Sequence, residues 1–126
     1  MARVLVVDDD SNIRDLVREI LEDEGHDVAT AEHGAAALEA IRVSGGNAPE
    51  VIILDINMPV MDGPTFARTY ASLPARPRHA DIIVTTAGRE ARRICNELGA
   101  QACLPKPFDV ALLVEEVETL LQQRQD

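Results

Sequence analysis

Acidic, hydroxyl and basic side chains follow four separate apolar runs that have the composition of buried strands. The carboxyl ends of parallel strands meet at one edge of a sheet, and ligands bind at that edge. We therefore expect the polar residues at these four ends to share one crevice. They are Asp8, Asp9, Asp55, Thr86 and Lys106, the last being the only lysine in the sequence.

Three carboxylates in one crevice would give it a definite chemistry. Two of them about 4 Å apart repel by roughly 4 kcal/mol at an effective dielectric constant of about 20. Such a cluster is protonated or recruits a cation, and a few oxygen ligands with an open side suit Mg²⁺. A carboxylate is also a nucleophile toward phosphorus, and Lys106 and Thr86 would then supply a cation and a hydroxyl donor to the phosphoryl oxygens.

Each of these residues has a simpler interpretation when it is taken alone. Acids that follow a strand often cap the next helix or form a turn, and Asp10 is expected to be such a cap. A lysine before a proline usually lies in a solvated loop. The joint occurrence at four strand ends favours a shared site over four separate structural roles.

The spacing of apolar residues predicts five strands that alternate with five helices. The strands are expected near residues 3–7, 27–31, 50–54, 81–85 and 101–104, and the helices near 11–24, 35–44, 63–72, 89–98 and 108–123. This alternation predicts a single doubly wound (βα)5 domain of the α/β class, with a parallel five-stranded sheet. The alternation does not itself fix the strand order. We take the flavodoxin-like order 2-1-3-4-5 from known doubly wound domains, which include a receiver protein, and it puts the switch point between strands one and three.

Three helix ends carry recognisable capping residues. Asp10 or Ser11 is expected to begin the first helix, and Gly25 to occupy the left-handed position that ends it. Asp109 is expected to begin the last helix.

The composition limits the kinds of partner. A length of 126 residues is typical of one domain, and a formal charge of −10 argues against a nucleic-acid partner, which needs a basic face. No apolar run approaches the roughly 18 residues of a membrane span, and no signal-peptide pattern opens the chain. Cys95 and Cys103 match no zinc or CxxC spacing, so we expect free thiols in a reducing cytoplasm.

The chain resembles the receiver domain of response regulators in two-component signalling over essentially its whole length. The matching segments are residues 4–9, 53–63, 86–87 and 106–108. The resemblance implies that Asp55 accepts a phosphoryl group. It also implies that Lys106 pairs with the phosphoryl oxygens after a cis bond to Pro107, and that Thr86 moves toward the phosphoryl group.

The resemblance further implies a Mg²⁺ site. Asp9 would be a direct ligand, and Asp8 would act largely through metal-bound water. Asp55 and the backbone carbonyl of Asn57 would complete the set of protein ligands.

Cys103 departs from the family pattern. Receivers usually carry tyrosine or phenylalanine three residues before the lysine, and that ring moves inward together with the threonine. Without the ring, we expect phosphorylation to change the face formed by the fourth helix, the fifth strand and the fifth helix less than in aromatic receivers.

Residues 1–126 are therefore expected to form a receiver domain without an effector domain. It would take a phosphoryl group from a histidine kinase or a histidine phosphotransfer protein, catalyse only its own phosphorylation and dephosphorylation, and signal to an unidentified protein in the cytoplasm. Two alternatives remain. One is a degenerate receiver that only binds partners, which the complete residue set argues against. The other is a phosphatase with an aspartyl nucleophile, which usually has a second acid where Asn57 stands.

Overall fold

Four apolar runs and the more polar segment Asp27–Ala31 form the strands of one parallel sheet. Apolar strands are expected where helices cover both faces of a sheet. The computed structural model describes residues 2–44, 48–56, 61–73, 79–86 and 91–125. The strands are β1 Arg3–Val7, β2 Asp27–Ala31, β3 Val51–Asp55, β4 Asp81–Thr86 and β5 Ala102–Pro105.

Five helices connect and follow these strands. They are α1 Ser11–Asp23, α2 Gly34–Ser44, α3 Gly63–Ala71, α4 Ala91–Leu98 and α5 Val110–Gln125. All ten predicted elements are present, and most of their ends lie within one or two residues of the prediction. The predicted start of the fourth helix at residue 89 falls outside the described residues.

The strand order is β2-β1-β3-β4-β5, and every neighbouring pair is parallel. The predicted doubly wound topology is therefore confirmed, with its switch point between β1 and β3. One face of the sheet packs against α1 and α5, and the other packs against α2, α3 and α4. The described part of the chain contains no helix with the length and apolarity needed to cross a membrane.

Short polar contacts fix the helix ends next to the strands. The Asp10 carboxylate accepts the backbone N–H of Asn12 at 2.9 Å and caps α1. At the other end of α1, Gly25 has a φ of +91°, and the N–H of His26 donates to the carbonyl of Leu21 in a Schellman arrangement. Asp109 caps α5 through the N–H of Ala111, so both the N-cap and C-cap predictions are confirmed.

Gly63 begins α3 against the backbone at the end of β3. Its N–H donates to the Ile56 carbonyl at 3.0 Å. A Cβ atom at Gly63 would lie 2.8 Å from the Cα of Ile56 and 2.9 Å from the carbonyl oxygen of Asp55. The preceding Asp62 caps the helix, and its hydrogen bond from the Thr65 N–H lowers the pKa of the carboxyl group. The glycine therefore lets α3 approach the segment that carries Asp55.

Replacing Gly63 with alanine is expected to lower the free energy of unfolding by about 2 kcal/mol, because backbone atoms must move to admit the methyl group. Gly34→Ala is the matched control. There a Cβ would lie 2.9 Å from Cγ and 3.1 Å from Cβ of Met61, which are side-chain rather than backbone atoms, so Gly34→Ala should cost less than Gly63→Ala. Urea unfolding of both variants measures the difference. Equal stability of Gly63→Ala and the wild type would contradict the close packing.

The expectation of free thiols at Cys95 and Cys103 is wrong. The two residues form a disulfide, with 6.1 Å between their Cα atoms. The physical reason is tertiary: α4 packs on β5 and brings the two Cβ atoms into range. Sequence spacing alone does not show this approach.

Candidate functional site

The carboxyl ends of β1 and β3 bring three carboxylates together. Asp55 is the last residue of β3, and Asp8 and Asp9 directly follow β1. One oxygen of each residue lies within 4.8 Å of the others. The side chains of Asp8 and Asp55 are buried, each residue being 3% exposed, whereas Asp9 is exposed. The cluster therefore has a buried floor and one side open to solvent.

Hydrogen bonds hold both the backbone and the side chain of Asp8. Its N–H donates to the Ala31 carbonyl at 3.1 Å, which extends the pairing of β1 with β2. The N–H of Asp10 donates to Oδ1 of Asp8 at 2.9 Å, and Arg14 Nη1 donates to the carbonyl oxygen of Asp8 at 2.7 Å. The Asp10 contact holds one carboxylate oxygen, and the other two contacts hold the main chain that carries the carboxylate.

Lys106 joins two of the three acids. Its Nζ donates to Oδ2 of Asp8 at 2.9 Å and lies 3.3 Å from Oδ1 of Asp55. The expected cis bond between Lys106 and Pro107 is present. The backbone N–H of Lys106 donates to the Thr86 carbonyl at 2.9 Å, so the end of β4 positions the lysine at the edge of the sheet.

Thr86 is the last residue of β4 and is 2% exposed. It pairs with Pro105 of β5 in the parallel ladder. The structure thus brings Asp8, Asp9, Asp55, Thr86 and Lys106 to one edge of the sheet, as the sequence predicted. Asn57 lies outside the described residues.

The charges in the crevice are unbalanced. At 4.8 Å, two carboxylates repel by about 3.5 kcal/mol at an effective dielectric constant of about 20. Lys106 neutralises one of the three negative charges and leaves two in excess. Burial by itself lowers the pKa of Lys106, but the Asp8 hydrogen bond and the attraction of Asp55 and Asp8 outweigh burial and raise it.

The donor atoms fit a hard divalent cation. All three groups offer carboxylate oxygens, the ligands that Mg²⁺ and Ca²⁺ prefer over nitrogen or sulfur. Few protein ligands and an open side match Mg²⁺ better, because that ion keeps several waters. An excess of two negative charges matches the charge of such an ion.

A sequence profile decides the family. The profile of the response regulator receiver domain matches residues 4–118. The chain belongs to the response-regulator receiver family. Among curated proteins, this receiver is 41% identical to the transcriptional regulatory protein PrrA of Mycobacterium bovis over 124 residues. That alignment covers 97% of this chain and 51% of PrrA, so the receiver spans about half the length of the curated relatives it matches.

Solved structures share the fold. The receiver domain of Francisella response regulator 1452 has a TM-score of 0.85 and 27% identity, and the match covers 98% of this receiver and 99% of that chain. TrrA of Thermotoga maritima, solved in complex with Mg(2+)-BeF, has a TM-score of 0.78 and 35% identity. That match covers 95% of this receiver and 99% of TrrA.

Arg14 is a site residue that the sequence argument missed. It reaches from α1 to the carbonyl of Asp8, six residues away, and so supports the buried floor of the cluster. An arginine in the first turns of a helix is common, and nothing in its spacing indicates this contact. The signal becomes visible only when α1 is placed against the end of β1.

A separate cavity of about 160 Å³ lies at the opposite, amino-terminal end of β1 and β2. Arg3, Asp27 and Ser44 supply its polar lining, together with apolar side chains. None of the predicted site residues lines it, and it contains no group of acids comparable to the carboxylate cluster among the described residues.

Proposed function

We propose that this receiver accepts a phosphoryl group on Asp55 from a phosphohistidine and that the reaction depends on Mg²⁺. The main observation in its support is that carboxylate oxygens of Asp8, Asp9 and Asp55 lie within 4.8 Å of one another, with Lys106 in contact with Asp55. The membership of the receiver family and the likeness to TrrA with Mg(2+)-BeF support the proposal.

In the proposed step, an oxygen of the Asp55 carboxylate forms a bond to phosphorus while the bond from phosphorus to the histidine nitrogen breaks. The leaving nitrogen keeps the electron pair of that bond, and the ring departs as a neutral imidazole because its other nitrogen already carries a proton. Lys106 offsets negative charge on the phosphoryl oxygens beside Asp55. A bound Mg²⁺ ion would supply Lewis-acid neutralisation of the same oxygens.

The proposed metal ligands are those that the receiver family implies, and the positions of the described residues are compatible with them. Asp9 is the exposed member of the cluster and would be the direct carboxylate ligand, together with Asp55. Asp8 accepts from Lys106 through Oδ2 and would act on the ion largely through water. The backbone carbonyl of Asn57 is the remaining proposed protein ligand, and the Thr86 hydroxyl is the proposed donor that responds to the phosphoryl group.

We propose that residues 1–126 act as one receiver domain in the cytoplasm, with a histidine kinase or a histidine phosphotransfer protein as the donor. Receivers of this family interact with histidine kinases, and PrrA is a transcriptional regulatory protein. The downstream partner is proposed to be a protein that distinguishes the phosphorylated from the unphosphorylated receiver. The charge of −10 argues against direct contact of this domain with nucleic acid.

The test is transfer from a phosphohistidine donor. An autophosphorylated histidine kinase, labelled on its histidine, is mixed with the receiver and Mg²⁺, and label is followed on both proteins. We expect label to leave the kinase and appear on the receiver, without rapid release of phosphate from p-nitrophenyl phosphate. Sustained turnover of that ester would favour the phosphatase. Failure of transfer from a panel of kinases and from phosphoramidate would favour a binding module.

A further inference from the structure

The Cys95–Cys103 disulfide connects α4 to β5. Cys95 is in the middle of α4, and Cys103 is in β5, eight residues later in the chain. The closed loop contains the turn between the two elements, where the N–H of Ala100 donates to the carbonyl of Cys95 at 3.0 Å. The bridge therefore fixes a helix to the strand that follows it.

Helix α4 depends on this attachment more than the other helices do. It has eight residues, and an isolated helix of that length is not stable in water. Within residues 92–98, Cys95 is the one buried side chain, at 5% exposure. Ile94 and Leu98 are partly buried against the same core, and the rest of this stretch is exposed or at the surface.

The remaining fold does not depend on the bridge. The two faces of the sheet are packed by buried aliphatic and aromatic side chains from α1, α2, α3 and α5. The contacts of Asp8, Asp55 and Lys106 come from the ends of β1, β3 and β5. Loss of the disulfide is thus expected to leave a folded domain in which α4 alone has lost a covalent attachment.

The bridge also lies close in sequence to the crevice. Cys103 pairs with Val84 in the ladder between β4 and β5, and Lys106 follows three residues later. The N–H of Lys106 donates to Thr86, the residue at the end of β4. The disulfide at Cys103 is therefore attached to β5, the strand that Lys106 directly follows.

We propose that Cys95 and Cys103 form a reversible redox site, at which the disulfide holds α4 on β5 and reduction releases the helix. Cys103 is partly exposed and Cys95 is buried, so exchange begins at Cys103. An external thiolate attacks the Cys103 sulfur, the bond between the two cysteines breaks, and Cys95 leaves as a thiolate. A second external thiolate then displaces Cys103.

In the net reaction of the two steps, two low-molecular-weight thiols become one disulfide, and the protein disulfide becomes two thiols. Two electrons and two protons pass to the protein, and a low-molecular-weight disulfide reverses the step. Any effect of the redox state on the response to phosphorylation rests on the proposed function. The redox site and the release of α4 do not.

The first test is thiol trapping across buffers with different ratios of reduced to oxidised glutathione. We expect the native receiver to gain two alkylated cysteines together as the reduced form predominates, and to lose both when oxidised glutathione is restored. Full alkylation in oxidised glutathione, or resistance to reduction until the protein is unfolded, would overturn the proposal.

The second test is amide hydrogen exchange of the oxidised and reduced receiver. We expect residues 91–98 to exchange at least about tenfold faster after reduction, while β1 and β3 keep their protection. The melting temperature should fall by about 10 °C, given a loop this short. The double variant Cys95→Ser, Cys103→Ser should match the reduced protein, and Asn96→Ser in the same helix should match the oxidised one.

Equal protection of α4 in both redox states would show that the bridge does not hold the helix. Neither measurement uses a phosphoryl donor, so failure here is distinct from failure of phosphoryl transfer. Labelling of both redox forms with phosphoramidate then shows whether the disulfide changes the rate of Asp55 phosphorylation. Equal rates would confine the redox effect to α4.

Discussion

Asp55→Asn is expected to abolish phosphorylation by phosphoramidate in the presence of Mg²⁺, whereas the wild type gains one phosphoryl group. The amide removes the nucleophilic oxygen and leaves a side chain of nearly the same shape, so the fold should persist. Lys106→Met should slow labelling by about a hundredfold or more, the usual cost of losing one electrostatic donor to a transition state. Intact-protein mass spectrometry measures both effects.

Asp62→Asn is the matched control for loss of one carboxylate. Asp62 is exposed and caps α3, and asparagine is an equally good cap, so its labelling should equal that of the wild type. Asp9→Asn should keep the acceptor but need much more Mg²⁺ for the same rate. Labelling that persists in Asp55→Asn, or that is unaffected by excess chelator, would contradict the assignment of acceptor and metal.

Lys106→Met is also expected to lower the free energy of unfolding by about 3 kcal/mol in the absence of Mg²⁺. Methionine keeps the apolar stem of the side chain but leaves the buried carboxylates of Asp8 and Asp55 without their cation. Arg18→Met is the control, because its ion pair with Glu22 is exposed and should contribute less than about 1 kcal/mol. Urea unfolding compares the two.

Magnesium should stabilise Lys106→Met more than it stabilises the wild type, because the variant has a larger excess of negative charge in the crevice. A ligand at about a hundred times its Kd adds roughly 2.7 kcal/mol. If the variant is as stable as the wild type without Mg²⁺, the lysine does not compensate the cluster.

The pH dependence of this stabilisation has a definite sign. The pKa of Lys106 is raised in the folded protein. The stability that its charge contributes is therefore present in full below its unfolded pKa of about 10.4, and it is lost as the pH rises through the folded-state pKa. The difference between the wild type and Lys106→Met should be constant near neutral pH and should shrink in alkaline buffer.

The sequence predicted the strands and the gathering of site residues because both follow from short-range patterns. A continuous apolar run specifies a strand covered on both faces, and its last residue must lie at the edge of the sheet. Because β1 and β3 are parallel neighbours, Asp8 and Asp55 at their carboxyl ends lie next to each other. The caps at Asp10 and Asp109 are equally local.

The contacts that escaped prediction depend on how helices pack. Arg14 reaches Asp8 only because α1 lies at one particular angle to β1. The pairing of Cys95 with Cys103 requires α4 to lie over β5. Neither arrangement has a signature in residue spacing, and the absence of a zinc or CxxC spacing favoured free thiols.

The lone lysine has a consequence for reagents that acylate amines. Every other basic residue counted with it is an arginine, whose guanidinium group resists acylation at neutral pH. All lysine reactivity of this chain is therefore confined to one atom, which is engaged with two carboxylates. The acylation rate at that atom should report whether the crevice is occupied. Peptide mass spectrometry separates it from acylation of the chain's α-amino group, so metal or phosphoryl binding could be followed without any engineered label.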